Sequence, residues 1–259
     1  MKLNIVPART GIQWVKLGIQ TFFKQPLALA GLFFLYMAVV IVVAQIPVVG
    51  VVIGGMLVPA ATLGLMAASA EAVKGKFPMP TVLISAFRAG RQRVRAMLVL
   101  GLIYTAGSML VSALANLIAG DGPGAGAAAG AVNEINNATL LALALHTPLF
   151  LMFWHAPALV HWHGVSPGKS LFFSFVACFR NFGAHLVYGL AWLAVFLGTG
   201  SVFGLIGGLI GGAAMARMVM MPTALLMAAM FSTSIYFTFR DSFAAADETE
   251  QQNPPGEIP

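Results

Sequence analysis

Six apolar stretches alternate along this chain with short segments that gather nearly all of its charge. The stretches run over about residues 27–46, 48–70, 96–119, 140–160, 184–204 and 218–239, and none contains Lys, Arg, Asp or Glu. Each reaches the roughly 20 residues that an α-helix needs to cross the hydrocarbon core of a bilayer. A helix satisfies its own backbone polar groups there, where water cannot. The pattern therefore predicts six transmembrane helices. The first two nearly abut at Ile46-Pro47-Val48 and read as a tight hairpin. Glycine-rich apolar sequence continues to Ala216 after the fifth, which leaves its end open over several residues.

The segments ahead of the odd-numbered stretches have a different periodicity. At the helical angle per residue, Gln13, Lys16, Gln20 and Lys24 share a stripe, with Ile12, Val15, Ile19, Phe22 and Phe23 across from it. Ser85, Arg88, Gln92 and Arg95 form a second stripe against Val82, Leu83, Ala86 and Phe87. Ser170, Ser174 and Asn181 form a third against Phe172, Phe175, Val176 and Phe179. Such segments predict amphipathic helices whose apolar face lies in the acyl boundary or packs on the ends of the bundle. Each opens near a proline: Pro7, Pro80 or Pro167. Each even-numbered stretch carries a proline towards its outer end, at Pro59, Pro148 and Pro222.

The layout is thus an all-α integral membrane domain over residues 1–240, built of three pseudo-repeated hairpins, each preceded by a cytoplasmic amphipathic helix. A Gly-, Ala- and Asn-rich insertion at 120–137 lengthens the middle unit. The three in-span prolines are expected to kink their helices and free a carbonyl each. Thr147 and Thr223 stand beside two of them as candidate donors.

Composition narrows the picture by exclusion. Only 8% of residues are charged and 59% are apolar, whereas a soluble globular protein is about 25% charged. One cysteine, Cys178, excludes a disulfide scaffold. The wealth of Leu, Val, Ile and Phe excludes a disordered chain. The first apolar run is too long, and begins too far from Met1, for a cleavable signal, so it is expected to stay as an anchor.

Charge then sets the orientation. Every Lys and Arg except Arg217 falls on one side of the six spans. Because basic residues favour the cytoplasmic side of short loops, both termini are expected in the cytoplasm. The net charge of +6 is accounted for by topology and gives no nucleic-acid footprint. The densest basic cluster, Arg88, Arg91, Arg93 and Arg95, is expected to meet lipid headgroups, anionic ones in particular. Residues 241–259 are acidic, polar and Pro-containing, and are expected to form a disordered cytoplasmic tail.

Candidate chemistry is sparse. Gly200, Gly204, Gly208 and Gly212 recur every four residues, with Gly207 and Gly211 widening the face, and predict a small-residue packing ridge, within the bundle or between protomers. All five histidines lie in or beside the fourth and fifth spans. An ionisable residue within a span is a functional candidate, so His155, with His146 and the neighbouring Trp154, marks a site for a ligand or for interhelical hydrogen bonding. His155 and His146 are nine positions apart and do not share a face. The histidines do not display the three ligands of a catalytic zinc site, no phosphate-binding loop occurs, and Asp121 and Glu134 stand isolated in the insertion. The string Gly200-Ser201-Val202-Phe203-Gly204-Leu205 resembles the nucleophile helix of rhomboid proteases. However, Thr199 falls at the nucleophile position and the last span has no histidine to act as base. No metal, cofactor or catalytic residue is expected.

A broader resemblance rests on the proline-led segments, on Trp14, on Phe22-Phe23-Lys24-Gln25-Pro26, on the run from Met152 to Val160 and on the run from Ser174 to Asn181. With these the chain resembles an uncharacterised family of six-span bacterial inner-membrane proteins. That family is similar in layout to the membrane domain of bacterial glycerophosphoryl diester phosphodiesterases, here without the hydrolase part. The resemblance implies a multi-pass location in the bacterial inner membrane and transfers no catalytic residue. The expectation is a non-enzymatic component: a scaffold, accessory subunit or envelope-maintenance protein engaging lipid, a membrane-protein partner or a second copy of itself. The alternative is a small permease or binding protein for an apolar or lipid-like ligand, with a cavity near His155.

Overall fold

A computed structural model describes residues 2–47, 49–119 and 137–244. The described chain is helical nearly throughout. In order it forms β1 (Lys2–Leu3), α1 (Thr10–Lys24), α2 (Pro26–Ala44), α3 (Val49–Val73), a 3-10 turn (Pro80–Ile84), α4 (Ser85–Arg88) and α5 (Arg91–Ala119). There follow α6 (Asn137–Phe153), α7 (Ala156–His163), α8 (Pro167–Arg180), α9 (Phe182–Ser242) and β2 (Phe243–Ala244). Among the described residues five stretches are long and apolar enough to cross a membrane: Pro26–Ala44, Val49–Val73, Arg91–Ile118, Leu140–His163 and Phe182–Ser242. The last of these holds both the fifth and the sixth expected spans. The insertion at 120–136, with Asp121 and Glu134, and the tail from 245 onward lie outside the described residues.

The 61 residues of α9 form two arms. Gly211 and Gly212 leave helical conformation, and Gly212 has φ 68°, a region glycine enters without the clash a Cβ would bring. Along a straight helix Gly207 and Ala216 would stand about 13 Å apart. Instead, a Cβ placed on Gly207 would lie 2.8 Å from the Ala216 Cα, so the chain reverses between them. The same reversal brings Tyr188, on the first arm, to Ser234 on the second.

Packing falls into two units: residues 1–38, 64–85 and 177–259 in one, and 39–63 and 86–176 in the other. In the first, α1 lies on both arms of α9. A Cβ on Gly11 would meet the Ala184 carbonyl and the Tyr188 nitrogen, and one on Gly18 would meet the backbone of Ser234. Glycine at these two positions lets the helices approach backbone to backbone. Gln13, Lys16, Gln20 and Lys24 face outward as expected. Beside this contact Phe22, Leu29, Leu32, Phe33, Leu65 and Ala229 build an apolar core. The chain ends meet in a two-residue antiparallel pairing, Lys2 with Ala244 and Leu3 with Phe243, extended by the Asn4 N–H donating to the Ser242 carbonyl at 2.9 Å. Residues 241–244, placed with the tail by the sequence, belong instead to α9 and β2.

In the second unit, Gly101 of α5 sits against the backbone of Met56 and Gly55 against Thr105. Tyr104 meets Phe153 edge-on at 5.0 Å.

One of the three amphipathic segments differs from expectation. In the second, Gly90 has φ 93° and separates the four-residue α4 from α5. Ser85 and Arg88 thus stand on one helix, and Gln92 and Arg95 on another. In the third it is the polar stripe that packs inward, and the apolar face is left outward, as the acyl-boundary alternative has it. Ser170 and Ser174 of α8, and Asn181 just beyond it, are buried, whereas Phe172 and Phe179 are 63% and 68% exposed. Small hydroxyls fit a close helix contact, and the bulky rings are left outside.

Candidate functional site

Pro157 cannot donate a backbone hydrogen bond, and the helical path breaks just before it, between α6 and α7. In an unbroken helix the His155 N–H would donate to the Leu151 carbonyl. Here the Ser174 hydroxyl stands between them: it accepts from the His155 N–H at 2.9 Å and donates to the Leu151 carbonyl at 2.8 Å. One inserted side chain thereby satisfies both ends of a missing ladder bond. His155 itself is fully buried and Trp154 half-buried. His146, on α6, gives its Nδ1–H to the Ala142 carbonyl of its own helix at 2.8 Å.

The helices continue through Pro59, Pro148 and Pro222. The carbonyls these prolines free belong to Gly55, Ala144 and Met218. The neighbouring threonines do not reach them. Thr147 donates to the Leu143 carbonyl and Thr223 to Val219, each four residues back, as does Thr62 to Val58. Each proline is thus joined by a hydroxyl that competes within the same turn, a combination that bends helices.

The expected glycine ridge is only partly used. Cβ atoms at Gly200 and Gly204 would touch the Met220 side chain at 3.6 Å, Gly208 faces open space, and Gly212 lies in the reversal. Gly207 and Gly211, which widen that ridge, make the closer approaches, to the Ala216 backbone and to the Met215 side chain.

A buried polar cluster went unread in the sequence. The Trp14 Nε1–H donates to Asp241 at 2.9 Å, and the indole meets His185 and Tyr188 edge-on. The Tyr188 hydroxyl lies 2.6 Å from the Ser234 hydroxyl, which also accepts from the Trp192 Nε1–H at 3.2 Å. The Asn181 side chain accepts from the Val6 N–H and donates to the Asn4 carbonyl, clamping the N-terminal segment. The signal was present in Gly11-x-x-Trp14-x-x-x-Gly18, a large residue between two glycines on one helical face. It marks packing, and these groups orient helices. Among the described residues no three His, Cys, Asp or Glu side chains gather as a metal site.

Arg88, Arg91, Arg93 and Arg95 are all exposed. Arg93 and Arg95 line a cleft of about 460 Å3 between the first turns of α5 and the turn joining α7 to α8, together with Gln92, Val99, Val160 and Ser166. Gly164, at φ 65°, shapes that turn, and its N–H and that of Val165 both donate to the Leu159 carbonyl. The lining of the cleft thus joins two cationic residues to the apolar Ala96, Val99, Val160 and Val165. Arg88, Arg91 and His155 are not among its lining residues.

The chain is 38% identical over 260 residues to a probable inner membrane protein of Burkholderia thailandensis, a match spanning 95% of this chain and 96% of that protein. No family model matches the chain, so the likeness to the phosphodiesterase membrane domain gains no support there. No solved structure matches it.

Proposed function

We propose that this chain, which belongs to the family of the probable inner membrane protein of Burkholderia thailandensis, is a non-enzymatic component of the bacterial inner membrane that engages lipid at its basic face. The observation that carries this reading is α8. Its hydroxyls are buried while Phe172 and Phe179 stand outward. In water such rings would leave apolar area unburied, at about 25 cal/mol per Å2. In the bilayer interface they are accommodated, beside cations that suit anionic headgroups.

The proposed topology has six crossings, arranged in three hairpins, with both termini in the cytoplasm. The pairing of Lys2–Leu3 with Phe243–Ala244 supports an even number of crossings, because it holds the two ends of the chain together. The reversal of α9 at Gly211–Gly212 supplies the sixth. The distribution of Lys and Arg selects the cytoplasmic side. Reporter fusions after residue 85 and after residue 244 should both read cytoplasmic, and a periplasmic reading at either would overturn the topology.

Envelope maintenance or scaffolding is the role this architecture suits. The complete burial of His155 in a hydroxyl-bridged helix break supports a structural task for it rather than ligand capture. A strain lacking the protein should become more sensitive to detergents and recover with the intact chain. Loss of uptake of one solute with an intact envelope would instead establish the permease reading.

A further inference from the structure

The cleft at the start of α5 combines features that ordinary packing does not explain. Arg93 and Arg95 line it, and among the described residues no carboxylate pairs with either; the one ion pair there is Arg240 with Asp241. Both arginines sit in the first turns of a helix with no acidic residue in its first turn. Cations at a helix N-terminus oppose the helix dipole, so the fold holds a concentration of positive charge that nothing described neutralises. Gln92 and Ser166 add neutral hydrogen-bonding groups to the lining. Val99, on α5, and Val160, on α7, continue the wall on two stretches each long and apolar enough to cross a membrane.

We propose that this cleft is a binding site for the phosphate group of an anionic lipid. The guanidinium groups of Arg93 and Arg95 hold the phosphate oxygens, Gln92 and Ser166 donate to the remaining headgroup oxygens, and the first carbons of the lipid run along Val99 and Val160. Guanidinium is the side chain best shaped for phosphate, since its planar fork makes charge-assisted, paired hydrogen bonds. The volume, about 460 Å3, falls in the range of small-molecule sites. Free phosphate would satisfy the arginines alone; the apolar wall selects a lipid. The proposal rests on the lipid-engaging role proposed above and adds to it a defined site.

The test uses the full chain in neutral detergent, titrated with dioctanoyl phosphatidylglycerol, with dioctanoyl phosphatidylcholine and with inorganic phosphate, and read by calorimetry and by the thermal unfolding midpoint. Two variants of equal charge are compared: Arg93→Gln with Arg95→Gln inside the cleft, and Arg88→Gln with Arg91→Gln outside it. The expected result is saturable binding of the phosphatidylglycerol in preference to the other two probes, weakened about tenfold or more by the first pair and little changed by the second. Equal weakening by both pairs overturns the cleft while leaving general lipid engagement in place. Phosphate binding as tightly as the lipid overturns the lipid assignment. No saturable binding of any probe overturns the site, and loss of membrane association by the intact chain would be needed to overturn the wider reading. Unchanged unfolding midpoints of both variants without lipid verify that folding is intact. If the first pair misfolds, Arg93→Lys with Arg95→Lys takes its place: partial retention of binding supports the site, and full retention overturns the paired guanidinium geometry.

Discussion

At Ser174 one hydroxyl occupies the place of a backbone hydrogen bond, accepting from the His155 N–H and donating to the Leu151 carbonyl. Removing it leaves two buried backbone groups to re-pair across a break that Pro157 holds open. An unsatisfied buried group costs about 1–3 kcal/mol. Ser174→Ala should therefore lower stability by at least that much, seen as a drop in the unfolding midpoint of the purified protein in detergent. An unchanged midpoint would mean that the helix closes its own ladder and the hydroxyl is dispensable. His155 was legible in the sequence as an unusual residue at membrane depth. Its setting was not, because the partner comes from nineteen positions along the chain and periodicity carries no record of distant contacts.

Among the elements, α9 best separates pattern from contact. A four-residue glycine repeat, Gly200, Gly204, Gly208 and Gly212, widened by Gly207 and Gly211, marked a ridge without ranking its members, and in the fold a Cβ on Gly207 would lie 2.8 Å from the Ala216 Cα. Gly207→Leu should cost about 1–3 kcal/mol by overpacking, whereas Gly208→Leu, facing open space, should stay within about 0.5 kcal/mol. Thermal unfolding of the two single variants checks the ranking, and equal loss in both would restore the original ridge. The same separation holds in α8, where the polar stripe packs inward. Helical periodicity correctly put Ser170 and Ser174 on one face and Phe172 and Phe179 on another. It could not say which face turns inward, because in lipid the apolar face is the one at home outside, and small polar side chains suit close helix contact.

For the whole molecule, the joined ends are the main constraint. Leu3 pairs with Phe243, so Leu3→Cys with Phe243→Cys, made with Cys178→Ala, should form an intrachain disulfide on mild oxidation. The product would show as a mobility shift reversed by reductant. Failure to cross-link would remove the support that this pairing gives to an even number of crossings. The cleft with Arg93 and Arg95 belongs to this scale as well. The sequence marked a basic cluster of four, and folding sorted it into two arginines that line a cavity and two that do not.

The sequence alone determined the class, the apolar stretches and the basic segments, because bilayer length and helical period are local properties that each stretch carries within itself. It left the end of the fifth stretch open over the glycine-rich run to Ala216. Only the tertiary structure decided which face of α8 is buried, which glycine makes the close approach, what bridges the break at His155 and which arginines share a cleft. Each of those depends on a partner supplied from elsewhere in the chain, and a partner's position is fixed by the packing of whole helices rather than by the spacing of residues along one.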